Sequence, residues 1–331
     1  MQHFYMQVHR DINNLPFFKN AVITIGTYDG VHTGHLQILQ QIKEEAEKIN
    51  GESVIITFDP HPRMVITQDK SEIRLLNTLE EKIALLEENG IDHLAIVPFT
   101  KAFSEQTAEK YILDFLVDKF HPHTIVIGYD HHFGNERKGN YKLLENYAEE
   151  FNFQVKEIPK HVLNEVTISS TKIRDAILNS DIETANKYLG YDYFFEGKVV
   201  EGDKIGRTIG YPTANLEITD NNKLTPGNGI YAVTVMVDGE GLRVNGQRIF
   251  GKQELMKGMM SIGTRPTVSK SKRTIEVNIF EFDKDIYGQV VRVFVKKYLR
   301  EEKKFSGLEE LKDAIAKDKI EAMKYVQRGF L

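Results

Sequence analysis

Short apolar runs alternate with stretches of helical periodicity in the first part of the chain, from Ala21 to about Leu189. The predicted strands are Ala21–Ile25, Ser53–Phe58, His93–Val97, Thr124–Gly128 and Phe153–Ile158, and the predicted helices are His35–Ile49, Leu79–Asn89, Thr107–Lys119 and Lys142–Glu150. Alternation of this kind predicts a parallel sheet with helices on both faces. The strand runs are nearly all apolar, as expected of strands that are buried on both faces.

The pattern changes after Gly190, where strand-like segments follow one another with turn signals between them. The predicted strands are Tyr193–Glu201, Gly229–Val237, Met259–Ile262, Thr274–Phe282 and Gln289–Tyr298. Antiparallel strands at this spacing indicate a small barrel or sandwich, and one helix, Leu308–Tyr325, is predicted to close the chain. We therefore predict two domains, residues 1–187 and residues 188–331.

Composition narrows the class of protein. A chain of 331 residues suits two cores, and its net charge of −5 argues against a general nucleic-acid binder. The absence of cysteine excludes disulfides, thiolate nucleophiles and Cys-based metal sites. No apolar run approaches the roughly 20 residues of a membrane helix, and the N-terminus lacks a signal peptide, so we expect a cytoplasmic protein. The oligomeric state stays open.

The strongest chemical signal lies where the first predicted strand gives way to a helix. The segment reads Gly26-Thr27-Tyr28-Asp29-Gly30-Val31-His32-Thr33-Gly34-His35. Its glycines allow a tight turn close to a ligand, and the start of the helix favours an anion. His32 and His35 share one helix face and can donate hydrogen bonds to phosphate oxygens. The alternatives are a plain strand–turn–helix junction with incidental histidines and a zinc site, which would need a third ligand.

A second candidate phosphate element is Ile168-Ser169-Ser170-Thr171-Lys172-Ile173-Arg174. Hydroxyl groups at a helix start cap exposed amides, and Arg174 can fork onto phosphate oxygens. A Ser/Thr cap with a nearby arginine is common, so the element is weak evidence when it is taken alone. Its combination with the His-x-x-His element is specific.

Together the two elements resemble those of the nucleotidylyltransferase superfamily. Thr57–Pro62 and Ile127–Gly134 bring the first part closer to the FMN adenylyltransferase module of bacterial riboflavin kinase/FAD synthetases, although Tyr28 and His131 stand where Phe is usual. The resemblance implies a Rossmann-like domain in which His32, His35 and Arg174 are catalytic. It implies ATP or phosphate contacts by Gly26, Tyr28, Asp29, Gly30, His32, Gly34, His35, Ser169, Ser170, Thr171 and Arg174, and flavin contacts by Phe58, Pro60, His61 and Asp130.

The second part carries its own signal, Gly206-Arg207-Thr208-Ile209-Gly210-Tyr211-Pro212-Thr213-Ala214-Asn215. Thr213 and Asn215 are two residues apart, so in an extended segment they point to one side. Their hydroxyl and amide oxygens can hold Mg²⁺ with its phosphates. Without further context, a Gly/Pro loop with polar residues explains the segment equally well.

This run resembles the riboflavin kinase signature, with Tyr211 where Phe is usual. The resemblance implies an antiparallel β-barrel kinase domain with a C-terminal helix and places the catalytic glutamate at Glu276. It implies ATP contacts by Gly206, Arg207, Gly210, Thr213 and Asn215, metal contacts by Thr213 and Asn215, and flavin contacts by Tyr211 and Glu276. The alternative for Glu276 is a solvent-facing strand carboxylate, and Ser261 replaces a usual Asn.

The resemblance as a whole implies two ATP-dependent reactions, phosphorylation of riboflavin to FMN and adenylylation of FMN to FAD with release of pyrophosphate. ATP, FMN and FAD are then substrates or products, Mg²⁺ is the cofactor, and no nucleic acid or membrane partner is expected. One alternative is a cytidylyl- or pantetheine-type transferase with an unrelated barrel. Another is a non-catalytic flavin-binding protein on the same scaffold.

Overall fold

The computed structural model describes residues 5–67, 73–129, 131–158, 168–202, 205–238, 243–244, 247–248, 255–266 and 271–326. By packing, the chain divides into two compact units, Met1–Ser169 and Ser170–Leu331. In the described parts, none of the helices combines the length and apolar character that a membrane crossing requires.

The first unit alternates strands and helices. Its strands are β1 (Gln7–His9), β2 (Val22–Ile25), β3 (Ser53–Asp59), β4 (His93–Pro98), β5 (Thr124–Gly128) and β6 (Gln154–Ile158). Its α-helices are α1 (Thr33–Lys48), α2 (Pro62–Ile66), α3 (Leu79–Glu88), α4 (Lys101–Ser104), α5 (Ala108–Lys110), α6 (Asp118–Phe120) and α7 (Tyr141–Ala148), with a 3₁₀ turn at Asn135–Arg137.

The six strands form one parallel sheet in the order β1-β4-β3-β2-β5-β6. All four residues of β2 are buried, because this strand lies in the middle of the sheet. The chain steps outward from β2 on one side through β3 and β4, and on the other side through β5 and β6. Ligands of such sheets bind at the carboxyl ends of the strands where the order reverses, here between β2 and β5. The predicted parallel sheet is confirmed.

One predicted helix has an unexpected form. The sequence predicts a single helix over Thr107–Lys119, but its middle, Tyr111–Val117, is a π-helix between α5 and α6. The wider turn buries Tyr111, Ile112, Phe115 and Leu116 together. π-helical turns are rare and frequently mark functional sites.

The second unit is built around a closed barrel. Its strands are β7 (Phe194–Val200), β8 (Ala214–Glu217), β9 (Gly229–Asp238), β10 (Arg243–Val244), β11 (Gln247–Arg248), β12 (Met256–Pro266), β13 (Ser271–Ile279) and β14 (Val290–Arg300). Its helices are α8 (Ser170–Leu178), α9 (Ile182–Leu189), α10 (Ile205–Thr208) and α11 (Leu308–Ala322).

The barrel follows the cyclic order β12-β13-β8-β7-β14-β9, and its neighbouring strands are antiparallel. Strand β14 pairs with β7 on one side and with β9 on the other, which closes the sheet on itself. The predicted antiparallel barrel and its C-terminal helix are confirmed.

Helices α8 and α9 pack within the second unit. The Asn186 side chain of α9 donates to the carbonyl of Val295 in β14 and accepts from the amide of Tyr193. The Ser180 hydroxyl, between the two helices, lies 2.8 Å from the Tyr231 hydroxyl of β9. The predicted boundary between residues 187 and 188 stays a prediction, while the packing boundary lies at the start of α8.

Candidate functional site

The loop between β2 and α1 is held in an unusual backbone conformation. Tyr28, Gly30 and Val31 have φ values of 48°, 92° and 36°. A positive φ is costly for a β-branched residue such as Val31, by about 1–3 kcal/mol. The surrounding packing therefore imposes this shape, which brings the loop tightly round to the first turn of α1.

Tyr28 fixes the base of this loop. Its ring is buried, and its hydroxyl lies 3.1 Å from the Thr24 hydroxyl of β2. Burial raises the pKa of Tyr28, so it remains a neutral phenol. A Cβ at Gly26 would lie 2.9 Å from the Tyr28 ring, and this close approach explains the glycine.

The two predicted histidines meet at the start of α1. His32 is the N-cap residue, and its Nδ1 accepts from the backbone amide of His35 at 3.4 Å. The two imidazoles stack with centroids 3.7 Å apart and planes inclined by 15°. An Nδ1 that accepts must be unprotonated, so a neutral His32 carries its proton on Nε2 and can donate from there.

His35 is kept neutral by its surroundings. Its pKa is lowered well below the usual value by burial, by His32 and by the Lys82 ammonium group. Two imidazolium charges about 4 Å apart would repel by about 4 kcal/mol at an effective dielectric constant of 20. At neutral pH the pair therefore acts through N–H donors beside the amides of the helix start.

Asp29, predicted to contact ATP, has a supporting position in the loop. It is buried, and its Oδ1 accepts from the amides of Leu76 at 2.9 Å and Asn77 at 3.3 Å. It thus ties the loop to the segment that leads into α3. Its contact with ATP stays a prediction.

A cavity of about 540 Å³ opens at the carboxyl ends of the central strands, the place expected from the sheet order. Gly26, Tyr28 and His35 line it together with Phe58, which the sequence assigned to the flavin. The other aromatic residues of its lining are Phe99, Phe103, Tyr111, His131, His132 and Phe133. Of the histidine pair, His35 lines the cavity and His32 does not. An aromatic wall beside His35 suits a flat ring that carries a phosphate.

The remaining predicted flavin residues lie near the end of β3. His61 is buried, and its Nδ1 accepts from the amide of Arg63, which caps α2. Pro60 precedes it and follows a cis peptide bond with Asp59. Asp130 lies outside the described residues.

The second phosphate element stands at the start of α8. Ser169, Ser170 and Arg174 are partly buried, whereas Thr171 is exposed. By packing, Ser170 and the residues after it belong to the second unit. A common ATP site of this element and the histidine pair stays a prediction.

In the second unit, the predicted signature begins with a tight turn. The amide of Tyr211 donates to the carbonyl of Gly206 at 2.8 Å, and Gly210 has a φ of 83°. A Cβ at Gly206 would lie 2.3 Å from the Tyr211 carbonyl oxygen. These two glycines are therefore required by the backbone, whatever they bind.

The turn places Thr213 and Asn215 next to Glu276, the predicted catalytic glutamate. Asn215 of β8 pairs directly with Glu276 of β13, so the two side chains share one face of the sheet. The Thr213 hydroxyl donates to Glu276 Oε2 at 3.1 Å. Because its proton is directed to the carboxylate, both lone pairs of this hydroxyl oxygen can face a cation. Ser261 pairs with Glu276 on the other side.

Two cavities of about 320 Å³ each meet at this point, and Thr213 lines both. The first is lined by Val199, Arg207, Pro212, Thr213, Ala214, Val277, Ile279 and the loop Phe282–Tyr287. The second holds Gly206, Tyr211, Ser261 and Glu276 against apolar residues that include Met259, Phe305, Leu311 and Ile315. Both compartments have mixed linings, the second being the more apolar, and they share the Thr213 side chain.

Sequence reasoning missed Lys82, Tyr111 and the charged residues Asp283–Asp285 of the loop that lines the first barrel cavity. Lys82 stands on the apolar stripe of α3, three residues after Leu79 and four before Leu86, and that position was a usable signal. Tyr111 was assigned to an ordinary helix, and its place in the cavity depends on the π-helix. Within the described residues, no three His, Asp or Glu side chains are grouped to hold a metal.

Comparison with known proteins finds two family matches that follow each other along the chain. Residues 16–172 match the family described as FAD synthetase, and residues 189–326 match riboflavin kinase. The bifunctional riboflavin kinase/FMN adenylyltransferase of Escherichia coli K12 is 35% identical over 97% of this chain and 98% of its own. That of Bacillus subtilis 168 is 34% identical over 92% of each chain. A crystal structure described as a macrolide-efflux protein from Streptococcus pneumoniae superposes with a TM-score of 0.84 at 28% identity, covering 97% of this chain and all of that one.

Proposed function

The chain belongs to the family of bifunctional riboflavin kinases/FMN adenylyltransferases, which make FAD from riboflavin, and we propose how its two units divide the work. The enzyme transfers a phosphoryl group from ATP to riboflavin and an adenylyl group from a second ATP to FMN. We assign the first reaction to the barrel unit and the second to the parallel-sheet unit. The contact between Thr213 and Glu276 is the single observation that carries the kinase assignment.

In the barrel unit, Glu276 acts as the general base. It accepts the proton of the ribityl hydroxyl while that oxygen attacks the γ-phosphorus of ATP, and ADP leaves. A carboxylate held by a hydroxyl on a rigid strand is oriented before substrate arrives, which supports efficient proton transfer. The hydrogen bond from Thr213 and the pairing with Asn215 provide that orientation.

A Mg²⁺ ion fits beside Glu276, because Thr213 and Asn215 offer the hard oxygen atoms that this ion prefers. We propose that these two side chains hold it together with the phosphates. When bound, the ion neutralises phosphate charge. The close packing of Gly202, where a Cβ would lie 2.1 Å from the Asn215 amide nitrogen, supports a fixed orientation for that amide.

The two cavities of the barrel unit suit different substrates. We assign the flavin to the cavity that contains Tyr211, Glu276 and the apolar residues near the C-terminal helix. We assign ATP to the cavity that contains Arg207 and Lys284, whose lining also holds Asp283 and Asp285. Gly206 and Gly210 shape the turn that precedes Thr213. Thr213 then lies at the boundary that the phosphoryl group crosses.

In the parallel-sheet unit, the FMN phosphate attacks the α-phosphorus of ATP, and pyrophosphate leaves. No protein nucleophile is needed, so catalysis is positioning plus charge stabilisation. His32, His35 and the amides at the start of α1 supply donors for the developing charge. The Phe58 cavity receives the flavin ring.

The other members of the two proposed sites rest on the family motifs. These are Asp29, Gly30, Gly34, Ser169, Ser170, Thr171 and Arg174 for ATP, and Pro60, His61 and Asp130 for the flavin. We further propose that the enzyme works in the cytoplasm on small-molecule substrates without a nucleic-acid partner, in keeping with its net charge of −5.

One incubation tests both assignments. The protein is mixed with riboflavin, ATP and Mg²⁺, and flavins are resolved by chromatography over time. We expect FMN to rise first and FAD to follow, with both products lost when Mg²⁺ is chelated. A folded protein that makes no FMN overturns the kinase assignment, and one that makes no FAD from supplied FMN overturns the adenylyl-transfer assignment.

A further inference from the structure

A carboxylate that no step above uses, that of Glu302, faces the flavin cavity of the barrel unit. Glu302 follows β14 and lines this cavity together with Ser261, Thr274 and Glu276. Its carboxylate lies against the backbone of Gly263 in β12, because a Cβ at that glycine would overlap the carboxylate oxygen atoms. Although the residue as a whole is exposed, the end of its side chain therefore rests on the barrel wall.

Gly263 leaves the room that the Glu302 carboxylate occupies. The glycine is buried in β12 and pairs with Thr274 of β13. The atoms nearest to a Cβ at this position all belong to the end of the Glu302 side chain, and none belongs to the backbone. An alanine at position 263 would therefore leave the strand in place and push the carboxylate aside.

Glu302 extends a row of polar groups that begins at the proposed base. Thr274 and Glu276 are two residues apart on β13, so they share one face of the sheet. Ser261 pairs directly with Glu276, and Gly263 pairs directly with Thr274. The Glu302 carboxylate, which lies on Gly263, is thus displaced from Glu276 by two residues along the strands, or about 7 Å.

The charge of Glu302 is not taken up by Arg300, which lines the same cavity. Nε and Nη2 of Arg300 donate to the Asp318 carboxylate at 2.8 and 2.6 Å, and Nη1 donates to the Glu301 carbonyl at 2.7 Å. All three nitrogen atoms of Arg300 are thus engaged. An ionised carboxylate has about four lone-pair sites, so Glu302 can accept hydrogen bonds from a ligand in the cavity.

We propose that Glu302 is a specificity-determining residue of the kinase site, which accepts hydrogen bonds from the internal hydroxyl groups of the ribityl chain. The proposal rests on the kinase function assigned above to the barrel unit. The chain carries a hydroxyl on every carbon beyond the one joined to the ring, and hydrogen bonds from such groups to a carboxylate are short and strong. Glu302 on the internal hydroxyls and Glu276 on the terminal one together lay the chain along β13.

The test compares riboflavin with a flavin analogue whose side chain is a pentyl alcohol and carries the terminal hydroxyl alone. FMN formation gives KM for riboflavin, and competitive inhibition of that reaction gives the inhibition constant of the analogue, whether or not the analogue is phosphorylated. Glu302→Ala should raise KM for riboflavin at least about tenfold, the lower end for a hydrogen bond to a charged group. The inhibition constant of the analogue should not change.

Two further variants separate charge from position. Glu302→Gln keeps an acceptor without the charge, so KM for riboflavin should lie between those of the wild type and Glu302→Ala. Gly263→Ala keeps the carboxylate but displaces it, and it should also raise KM for riboflavin while leaving the analogue unaffected. Glu301→Ala is the matched control, because Glu301 is an exposed neighbour outside the cavity lining, and it should change neither constant. FAD formation from supplied FMN shows that each variant is folded.

The outcomes distinguish this proposal from the assignment beneath it. A wild-type protein that makes no FMN overturns the kinase function itself. If the wild type makes FMN, the proposal is refuted when Glu302→Ala raises both constants equally, which indicates a change of cavity shape, or when it raises neither. If Glu302→Ala fails to fold, the Glu302→Gln and Gly263→Ala variants decide. A loss confined to riboflavin supports the proposal, and an equal loss or no loss refutes it.

Discussion

Replacing Glu276 by glutamine tests its role as the general base while leaving its structural contacts in place. The amide keeps an oxygen that can accept the hydrogen bond from Thr213, now 3.1 Å long. It also keeps the backbone pairing with Asn215 and Ser261. Because the side chain is only partly buried, we expect the barrel to stay folded. What the substitution removes is the negative charge and the ability to take up a proton.

The expected size of the effect distinguishes the two roles. Converting a charge-assisted hydrogen bond from Thr213 into a neutral one costs about 1 kcal/mol, which is about fivefold in an equilibrium. Loss of a general base costs about 10²–10⁴-fold, or about 2.7–5.5 kcal/mol of activation free energy. We therefore expect FMN formation to fall at least about a hundredfold.

The assay measures riboflavin turnover at saturating ATP and Mg²⁺, with a riboflavin titration to show that binding survives. FAD formation from supplied FMN in the same preparation serves as the internal control and should persist. Glu217→Gln is the matched variant, because Glu217 is an exposed glutamate on the neighbouring strand β8. A folded Glu276→Gln protein that binds riboflavin and works within about tenfold of the wild type would refute Glu276 as the base.

Other perturbations follow from the structure. His32→Ala combined with His35→Ala should abolish FAD formation and spare FMN formation, and equal loss of both activities in a folded protein would contradict the assignment. Gly206→Ala should disrupt the kinase turn, because its Cβ would lie 2.3 Å from a backbone carbonyl oxygen; riboflavin turnover should drop while FAD formation from supplied FMN continues. A fragment of residues 170–331 should make FMN but not FAD and should melt at a higher temperature than residues 190–331, which lack α8 and α9. Equal melting temperatures would show that those helices add nothing to the barrel.

Most strands were predictable because burial on both faces demands continuous apolar runs. Thr124–Gly128 was predicted with its observed limits, and Ser53–Phe58 ended one residue early. Strand β1 was missed because its three residues, Gln7–His9, form a short, partly buried edge strand that carries no apolar run. Strand β8 is absent from the predicted strands, because Ala214–Glu217 is short and mixed in character.

Only those parts of the sites whose geometry depends on residues close together in the sequence could be predicted. The histidine pair follows from helical spacing, and the neighbouring positions of Thr213 and Asn215 follow from an extended chain. Their meeting with Glu276 depends on strand register across the barrel, which no local pattern encodes. Lys82 and Tyr111 were missed for the same reason, since their importance comes from the segments packed around them.

The pairing of β14 has a consequence for how the polypeptide matures on the ribosome. Until β14 emerges, β7 and β9 each present an open edge of backbone groups, the kind of edge that recruits strands of other molecules. Strand β14 ends roughly 60 residues after β9. The ribosome needs about 3–12 s to synthesise those residues at typical bacterial translation speeds. A nascent chain that stops before Val290 keeps both edges exposed for good. Nonsense mutations late in the gene should therefore yield insoluble polypeptide rather than a smaller active enzyme.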